Sequence, residues 1–417
     1  MTPIESAIRS QLPRSCLLSQ LDRTHLSRTN AIVAAGEDRL ARRLSVYLAQ
    51  GPGSDSFLLR SSSSDAIVLG SGQRDLVSIA REILVPAIDE LRSYGNLCLS
   101  LVLQISALDA LHQGAGDLAA ALFCQSLLAR RYLLLGKLMP EDSDDALFTS
   151  IGEGRLCIWA LPALHEIGHL YRYPIPAAVE ILEVIRAAVS KRMYEDEVAM
   201  YPGIERELEE GMASGGLSTR RLAAEVQADA FAIECLLRSS DSLLGRDVEL
   251  STIAAESIVW LCSMALVERL KIRLTAPGDA DPGAVRTACV LSDGHFHTRI
   301  LSMCEYVCLL NQNPDTRETF GEFLMTTYRH IRRNDWPVAI ASMQGIEIVR
   351  AQRIAPDEAT VEAIVEITLE GAPLAESIDS FLRRAGRLST AFLQRLRVAA
   401  ASDASWETLR KLGLPTQ

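Results

Sequence analysis

The stretch 161-LPALHEIGHLYRYP-174 places two histidines, His165 and His169, four residues apart, with Glu166 directly after the first. On an α-helix, residues four apart lie one turn apart on the same face. Two imidazole nitrogens on one face can bind one metal ion, and Glu166 is offset enough to hold a water molecule instead. The spacing therefore predicts a metal-binding helix. The alternative is a solvated helix that carries histidine and glutamate without a metal.

A second pair of side chains with the same spacing lies in 221-RLAAEVQADAFAIECLL-237. Glu225 fits as a third metal ligand, and Asp229 fits as the acceptor of an imidazole N–H that fixes the tautomer of a ligating histidine. The rest of the segment is rich in alanine, which indicates close packing on the HEIGH helix. These alanines are Ala223, Ala224, Ala228, Ala230 and Ala232. The alternative is an ordinary amphipathic helix with two exposed acids.

The two motifs together, HExxH followed by ExxAD, resemble the gluzincin class of zinc metallopeptidases. The string 225-EVQADAFA-232 is similar to the membrane HtpX-type peptidases and to the soluble ImmA/IrrE-type regulatory peptidases. The phage-exclusion Lit peptidases are a further soluble comparison. The resemblance covers two short segments within residues 147–300, and the absence of apparent membrane spans argues against the HtpX type.

This resemblance implies a zinc endopeptidase that acts on a protein or peptide substrate. His165, His169 and Glu225 would hold Zn2+, which polarises the peptide carbonyl. Glu166 would be the general base, taking a proton from the attacking water and passing it to the leaving amine. Asp229 would accept the N–H of a zinc-ligating imidazole.

Such a reaction also needs a donor for the developing oxyanion, and 293-DGHFHTRI-300 is the best local candidate. Several zincins carry a late histidine followed by arginine, and His295 with Arg299 resembles that pair, although the usual proline is replaced. We name His295 and His297 as catalytic candidates, and Arg299 and Tyr171 as substrate contacts. The alternative is a surface loop or helix start with two solvated histidines, and a tyrosine that only flanks the core.

The composition favours helices over strands, because 48% of the residues are hydrophobic, mostly leucine and alanine, and only 5% are aromatic. We predict a mainly α fold with a small β element beside the HEIGH helix. A helical N-terminal region would cover residues 1–130, a zincin-like catalytic core 131–310, and a helical C-terminal extension 311–417. Trp260 is predicted to be a core residue.

The local patterns give more specific predictions for the N-terminal half. Residues 37–50 predict a helix, and 57-FLLR-60 and 66-AIVLG-70 predict two short strands. Residues 147–160 predict two further strands around a glycine turn. Within them, 155-RLCIW-159 is predicted as the edge strand that receives the substrate. Pro162 is expected in the first turn of the HEIGH helix, where its missing N–H costs nothing.

The charge and the apolar runs limit the partners and the compartment. A net charge of -11 repels phosphate backbones, so we expect no nucleic acid partner. The nine scattered cysteines form no C-x-x-C pair, which is typical of free thiols in a reducing compartment. The N-terminus has no signal-like apolar segment, and the longest uncharged run, 93–108, is short for a bilayer span. We therefore expect a soluble, cytoplasmic protein with no membrane partner.

Two rival functions remain open from the sequence. One is a helical interaction protein in which the zinc is structural or absent. The other is a sensor or defence component whose zinc site is latent until a regulatory protein partner releases it. Glu166 discriminates between the peptidase and the interaction protein, since a structural site does not need this side chain.

Overall fold

The computed structural model describes the parts of the chain that surround the predicted site. These are residues 2–12, 17–20, 27–41, 43–50, 56–60, 65–84, 94–113, 156–170, 219–244, 249–276, 280–311 and 314–333, with single positions at 115, 118, 119, 122 and 126. Predictions for 147–155, for Tyr171 and for residues beyond 333 lie outside this part of the chain.

The described residues form a small four-stranded sheet and nine helices. In chain order the elements are α1 (Pro3–Gln11), β1 (Leu17–Gln20), α2 (Ser27–Leu40), β2 (Ser45–Gln50), β3 (Phe57–Arg60), β4 (Asp65–Gly70), α3 (Ser71–Leu84), α4 (Tyr94–His112), α5 (Leu156–Gly168), α6 (Thr219–Leu244), α7 (Leu250–Thr275), α8 (Pro282–Leu310) and α9 (Pro314–Arg333). The mainly α fold with a small β element is therefore confirmed for this part of the chain.

The sheet has the strand order β1-β2-β4-β3, so β3 lies at one edge. Strands β2 and β4 run parallel, with Tyr47 opposite Val68, whereas β1 and β3 each pair antiparallel with their neighbour. The strands predicted at FLLR and AIVLG are confirmed as β3 and β4. The β3 edge packs beside α5.

Both faces of the sheet are buried, which explains why its central strands are almost entirely apolar. Ile67 and Leu69 on one face of β4 belong to the main core, to which α5 also contributes. Ala66 and Val68 on the other face pack in a smaller cluster with Ile8 of α1. The sheet is thus the layer between α1 and the main helical part of the fold.

The prediction of one helix over 37–50 is wrong in its second half, which forms β2. Helix α2 ends at Leu40, and Ala41 follows in the left-handed region at φ 50. The buried Glu37 carboxylate then accepts the backbone N–H of Leu44 at 2.6 Å, which turns the chain into the strand. The helical pattern was misleading because both faces of β2 are buried, so its apolar residues show no clean alternation.

The prediction of a strand at 155–159 is also wrong for residues 156–159, because α5 begins at Leu156. Pro162 accordingly lies inside this helix and not in its first turn. Residues 160–165 are all buried, so the segment shows neither helical nor strand periodicity. Length decides between the two for such a run, and the run continues through the HEIGH residues as a single helix.

Helix α7 lies at the centre of the helical layer and packs on α3, α5, α8 and α9. It is the one helix of the described part long and apolar enough to cross a membrane, and 67% of that window is buried within the fold. This degree of burial is typical of a core helix in a soluble protein. The uncharged run at 93–108 falls largely within α4, where Leu101, Val102 and Leu103 are buried.

Helix α5 is held between two helices at positions where a side chain would not fit. A Cβ placed on Gly168 would lie 2.8 Å from the Cα of Ala228 on α6. A Cβ on Gly36 of α2 would lie 2.8 Å from Cδ1 of Ile167. The predicted close packing of the alanine-rich helix on the HEIGH helix is therefore confirmed at Ala228, whereas Ala224 is exposed.

We predict that Gly168→Ala lowers the free energy of unfolding by about 1–3 kcal/mol, because the new methyl group would overlap the backbone of α6. Gly321→Ala is the matched control. It also replaces a helical glycine, but its Cβ would meet only Cys308 Sγ at an ordinary 3.5 Å. The control should be neutral or stabilised by up to about 1 kcal/mol. Urea denaturation measures both, and equal stability of the two variants would contradict the account.

Candidate metal centre

The two histidines of the HEIGH segment lie on one face at the C-terminal end of α5, as their spacing predicts. Their rings meet edge to face with centroids 4.7 Å apart. His165 is buried, whereas the His169 side chain is 22% exposed. The backbone N–H of His169 still bonds to the carbonyl of His165 at 3.3 Å, so the helical turn extends to it. The pair stands at the boundary between core and solvent.

Helix α6 brings one carboxylate to both imidazoles. Glu225 Oε2 lies 3.3 Å from His165 Nε2, and Glu225 Oε1 lies 3.8 Å from His169 Nε2. The contact between Gly168 and Ala228 fixes this separation, because Ala228 lies about one turn after Glu225 on α6. The residues that the sequence predicts as metal ligands are therefore brought together from two helices.

Asp229 lies one turn after Glu225 on α6, directly after Ala228, and is buried. Its Oδ1 is 2.8 Å from Nδ1 of His165, so Asp229 contacts one of the two HEIGH imidazoles, as predicted. A carboxylate only accepts, which places the hydrogen on Nδ1 and directs Nε2 towards Glu225. This arrangement presents the nitrogen that a cation would bind.

Arg299, on α8, lies behind the site and not on its substrate side. Its Nε and Nη2 donate to Asp229 at 2.8 and 2.7 Å, and its Nη1 lies 3.3 Å from Glu225 Oε2. The rings of Trp260 and Phe296 flank the guanidinium, at 5.7 and 5.5 Å from their centroids. A buried side chain with these partners does not reach a substrate, so the predicted substrate contact is corrected. Arg299 instead holds the two acids of α6 in place.

Glu166 points towards the sheet and is half-buried. The backbone of Leu58 on the edge strand β3 lies close enough to favour the charged form of this carboxylate. Burial raises the pKa of Glu166 to about 7, with a further contribution from the Glu225 charge, against the opposing effect of His165. Ligand atoms of Glu166 and of the two histidines all lie within 4.8 Å of one another.

The electrostatics of the cluster shift the pKa values of the two histidines in opposite directions. Burial and the neighbouring charge of His165 lower the pKa of His169 to about 4. Burial also acts to lower the pKa of His165, but the charge and hydrogen bond of Asp229 outweigh it and raise that pKa to about 9. Burial opposes the charge on Glu225, yet its contacts with His165 and Arg299 lower its pKa to about 2. The cluster thus keeps Glu225 ionised and stabilises a positive charge at His165, whether a proton or a metal ion.

Trp260 is confirmed as a core residue, but nothing in the sequence indicates its place at the site. It is buried on α7, and its ring packs edge to face on His165 with centroids 5.3 Å apart. The indole also lies over the guanidinium of Arg299. Trp260 therefore forms the apolar wall of the cluster and excludes water from behind His165. Its apolar neighbours in the chain carry no signal for this role.

The two late histidines both lie on α8, so they do not share a face. His297 is buried, and its Nδ1 pairs with the hydroxyl of Tyr328 on α9. Because Arg299, two residues later, faces α6, His297 lies on the opposite side of the helix. Its predicted catalytic role is therefore corrected. His295 shares the face of Arg299, one turn earlier, and its role stays a prediction.

The donor set fits a zinc ion. Two imidazole nitrogens and one carboxylate oxygen are ligands that Zn2+ prefers, with a fourth position left for water. Donors about 2.0–2.1 Å from a tetrahedral ion lie about 3.3 Å apart. Glu225 Oε2 lies 3.3 Å from His165 Nε2, which equals that value, and the other oxygen, Oε1, lies 3.8 Å from His169 Nε2.

No protein family, curated protein or solved structure matches this chain. What the described geometry defines is a class of site. Two imidazoles from one helix face a carboxylate from a second helix, a buried acid orients one imidazole, and a further carboxylate stands at the edge of a sheet. The functional assignment rests on these contacts and on the two sequence motifs.

We predict that Asp229→Asn lowers the free energy of unfolding of the metal-free protein by about 3–5 kcal/mol, because it leaves Arg299 buried without its partner charge. Removing both charges in Asp229→Asn/Arg299→Met should cost less than the sum of the two single variants. Urea denaturation in the presence of a chelator separates this effect from metal loss. The exposed Asp38→Asn serves as the control, and a variant at Asp229 as stable as that control would refute the buried pair.

Proposed function

We propose that this chain is a zinc-dependent endopeptidase that hydrolyses a peptide bond in a protein or peptide substrate. The observation that carries the proposal is the convergence of His165, His169 and Glu225 on one point, with Glu166 beside them. A structural site needs ligands alone. The additional carboxylate next to the ligands, beside the edge strand of the sheet, supports a catalytic site.

Two carboxylates lie close enough to the imidazoles to be the third ligand, and the contacts favour Glu225. Its two oxygens face the two Nε2 atoms, and Arg299 holds it in that position. Glu166, by contrast, lies beside the edge strand, close to the backbone of Leu58. We therefore assign Glu225 to the metal and Glu166 to the substrate side.

The residues of the chain would divide the reaction as follows. Zinc, when bound, would polarise the substrate carbonyl and make the attacking water more acidic. Glu166 would accept the proton of that water and pass it to the leaving amine. Asp229 would keep the hydrogen of His165 on Nδ1, and Arg299 would keep Asp229 and Glu225 ionised and in position.

The edge strand β3 offers the place for an extended substrate. Its partner β4 occupies one side, and α5 packs beside the strand, with Glu166 close to Leu58. A peptide that adds to this edge would bring its backbone to the general base. The strand that borders the site is thus β3 and not the segment 155–159 named from the sequence.

We predict that Glu166→Gln keeps the zinc content and the fold and reduces peptide cleavage by at least about a hundred-fold, because the amide cannot accept the proton. The measurement incubates zinc-loaded protein with a proteome-derived peptide library and identifies new peptide termini by mass spectrometry.

Glu305→Gln, on the exposed side of α8, is the matched control and should cleave like the wild type. Zinc-loaded wild type and Glu166→Gln that give the same termini would refute the peptidase. That result would favour the interaction protein with a structural zinc, or a latent enzyme that needs its partner.

A further inference from the structure

Arg60 is a cation at the site that the sequence motifs do not include. It is the last residue of the edge strand β3, and its side chain is exposed. Side chains alternate along a strand, and Phe57 and Leu59 pack in the cluster on the α1 side of the sheet. Arg60 therefore points to the opposite side, where α5 lies. Its Nη2 donates to the backbone carbonyl of His169.

This contact fixes the guanidinium without consuming it. The last carbonyls of a helix have no partner within the helix, so His169 offers a free acceptor at the end of α5. A guanidinium has five N–H donors, and the bond to His169 uses one of them. Within the described part of the chain, no carboxylate pairs with Arg60. Its side chain is exposed and lies beside a candidate metal ligand.

The charges around Arg60 set it apart from the other arginine of the site. The positive charge of Arg299 is buried and shared by Asp229 and Glu225. The chain as a whole carries a net charge of -11, so an acidic peptide is repelled in general. Asp65, opposite Arg60 in the sheet, is a buried acid, whereas the guanidinium of Arg60 is an exposed positive charge at the edge strand. This guanidinium matches a carboxylate in charge and, through two parallel N–H groups, in shape.

We propose that Arg60 forms a carboxylate-binding subsite, which makes the site prefer a peptide with a carboxylate close to the scissile bond. The inference rests on the proposed peptidase function, and it adds the chemical class of the substrate. The carboxylate belongs either to an acidic side chain or to the C-terminus of the peptide. Arg60 contacts the substrate in this account, whereas a purely structural Arg60 would only cap α5.

The test measures binding to the zinc-loaded protein, so it needs no turnover. Short peptides that end in a zinc-chelating hydroxamate are prepared with Glu, Gln or Lys at each of the two positions nearest that group. A second series carries the hydroxamate at the N-terminus of the peptide and compares a free C-terminal carboxylate with its amide. Isothermal calorimetry gives the dissociation constants for wild type, Arg60→Gln, Arg60→Lys and Arg60→Glu.

We expect the wild type to bind the Glu peptide, or the free carboxylate, about five- to ten-fold more tightly than its uncharged counterpart. The preference should vanish in Arg60→Gln, persist in Arg60→Lys, and change in favour of Lys in Arg60→Glu. This ratio does not depend on the folded fraction, so a mere loss of helix capping would leave it unchanged.

Each outcome separates the two proposals. Tight hydroxamate binding with equal affinity for Glu and Gln peptides, and for carboxylate and amide, overturns the subsite and leaves the peptidase standing. A ratio that persists in Arg60→Gln also overturns it. A wild type that binds no zinc or no hydroxamate overturns both. Which series shows the preference identifies the side chain or the C-terminus as the source of the carboxylate.

Discussion

The buried carboxylate of Asp229 is the charge on which the rest of the site depends. It accepts from His165 on one side and from Arg299 on the other, and Arg299 in turn reaches Glu225. A buried ion pair contributes little to net stability compared with apolar residues of the same volume. Its contribution here is to geometry. The contacts of Asp229 with His165 and Arg299 fix the positions of α5, α6 and α8 relative to one another. Apolar residues such as leucine in place of the buried pair would give a comparable stability, so the charges indicate a function at this point.

Packing supplies the distances that these charges require. Helix α6 approaches α5 so closely at Ala228 that Gly168 has no room for a side chain, and Gly36 of α2 meets Ile167 from the other side. The HEIGH segment thus provides both imidazoles and also Gly168, which lets α6 approach closely enough for Glu225 to reach them. The sheet completes the arrangement, since β3 packs beside α5 with Leu58 close to Glu166. The packing of the helical core and of the sheet edge therefore determines the geometry of the site.

The parts of the site that the sequence predicts are those set by spacing within one helix. His165 with His169, and Glu225 with Asp229, share a face because they are four residues apart, whatever surrounds them. Contacts between distant segments leave no such trace. Leu58 and Arg60 lie in a strand that the pattern predicts, but nothing in FLLR indicates that it borders the HEIGH helix. Arg299 was assigned to the substrate because the sequence does not show which side of α8 faces α6. Strand β2 was missed because burial on both faces removes the alternation that marks a strand.

The most direct test of this account is the zinc content of the purified wild type beside Glu225→Ala, measured by inductively coupled plasma mass spectrometry after zinc is supplied at neutral pH. The exposed Glu305→Ala on α8 is the control for the loss of an acid. The account predicts about one zinc per chain in the wild type and the control, and a much weaker site in Glu225→Ala, since the third ligand is gone. A wild type without zinc, or a Glu225→Ala variant that holds it as firmly as the wild type, would contradict the claim that the two helices form one metal site.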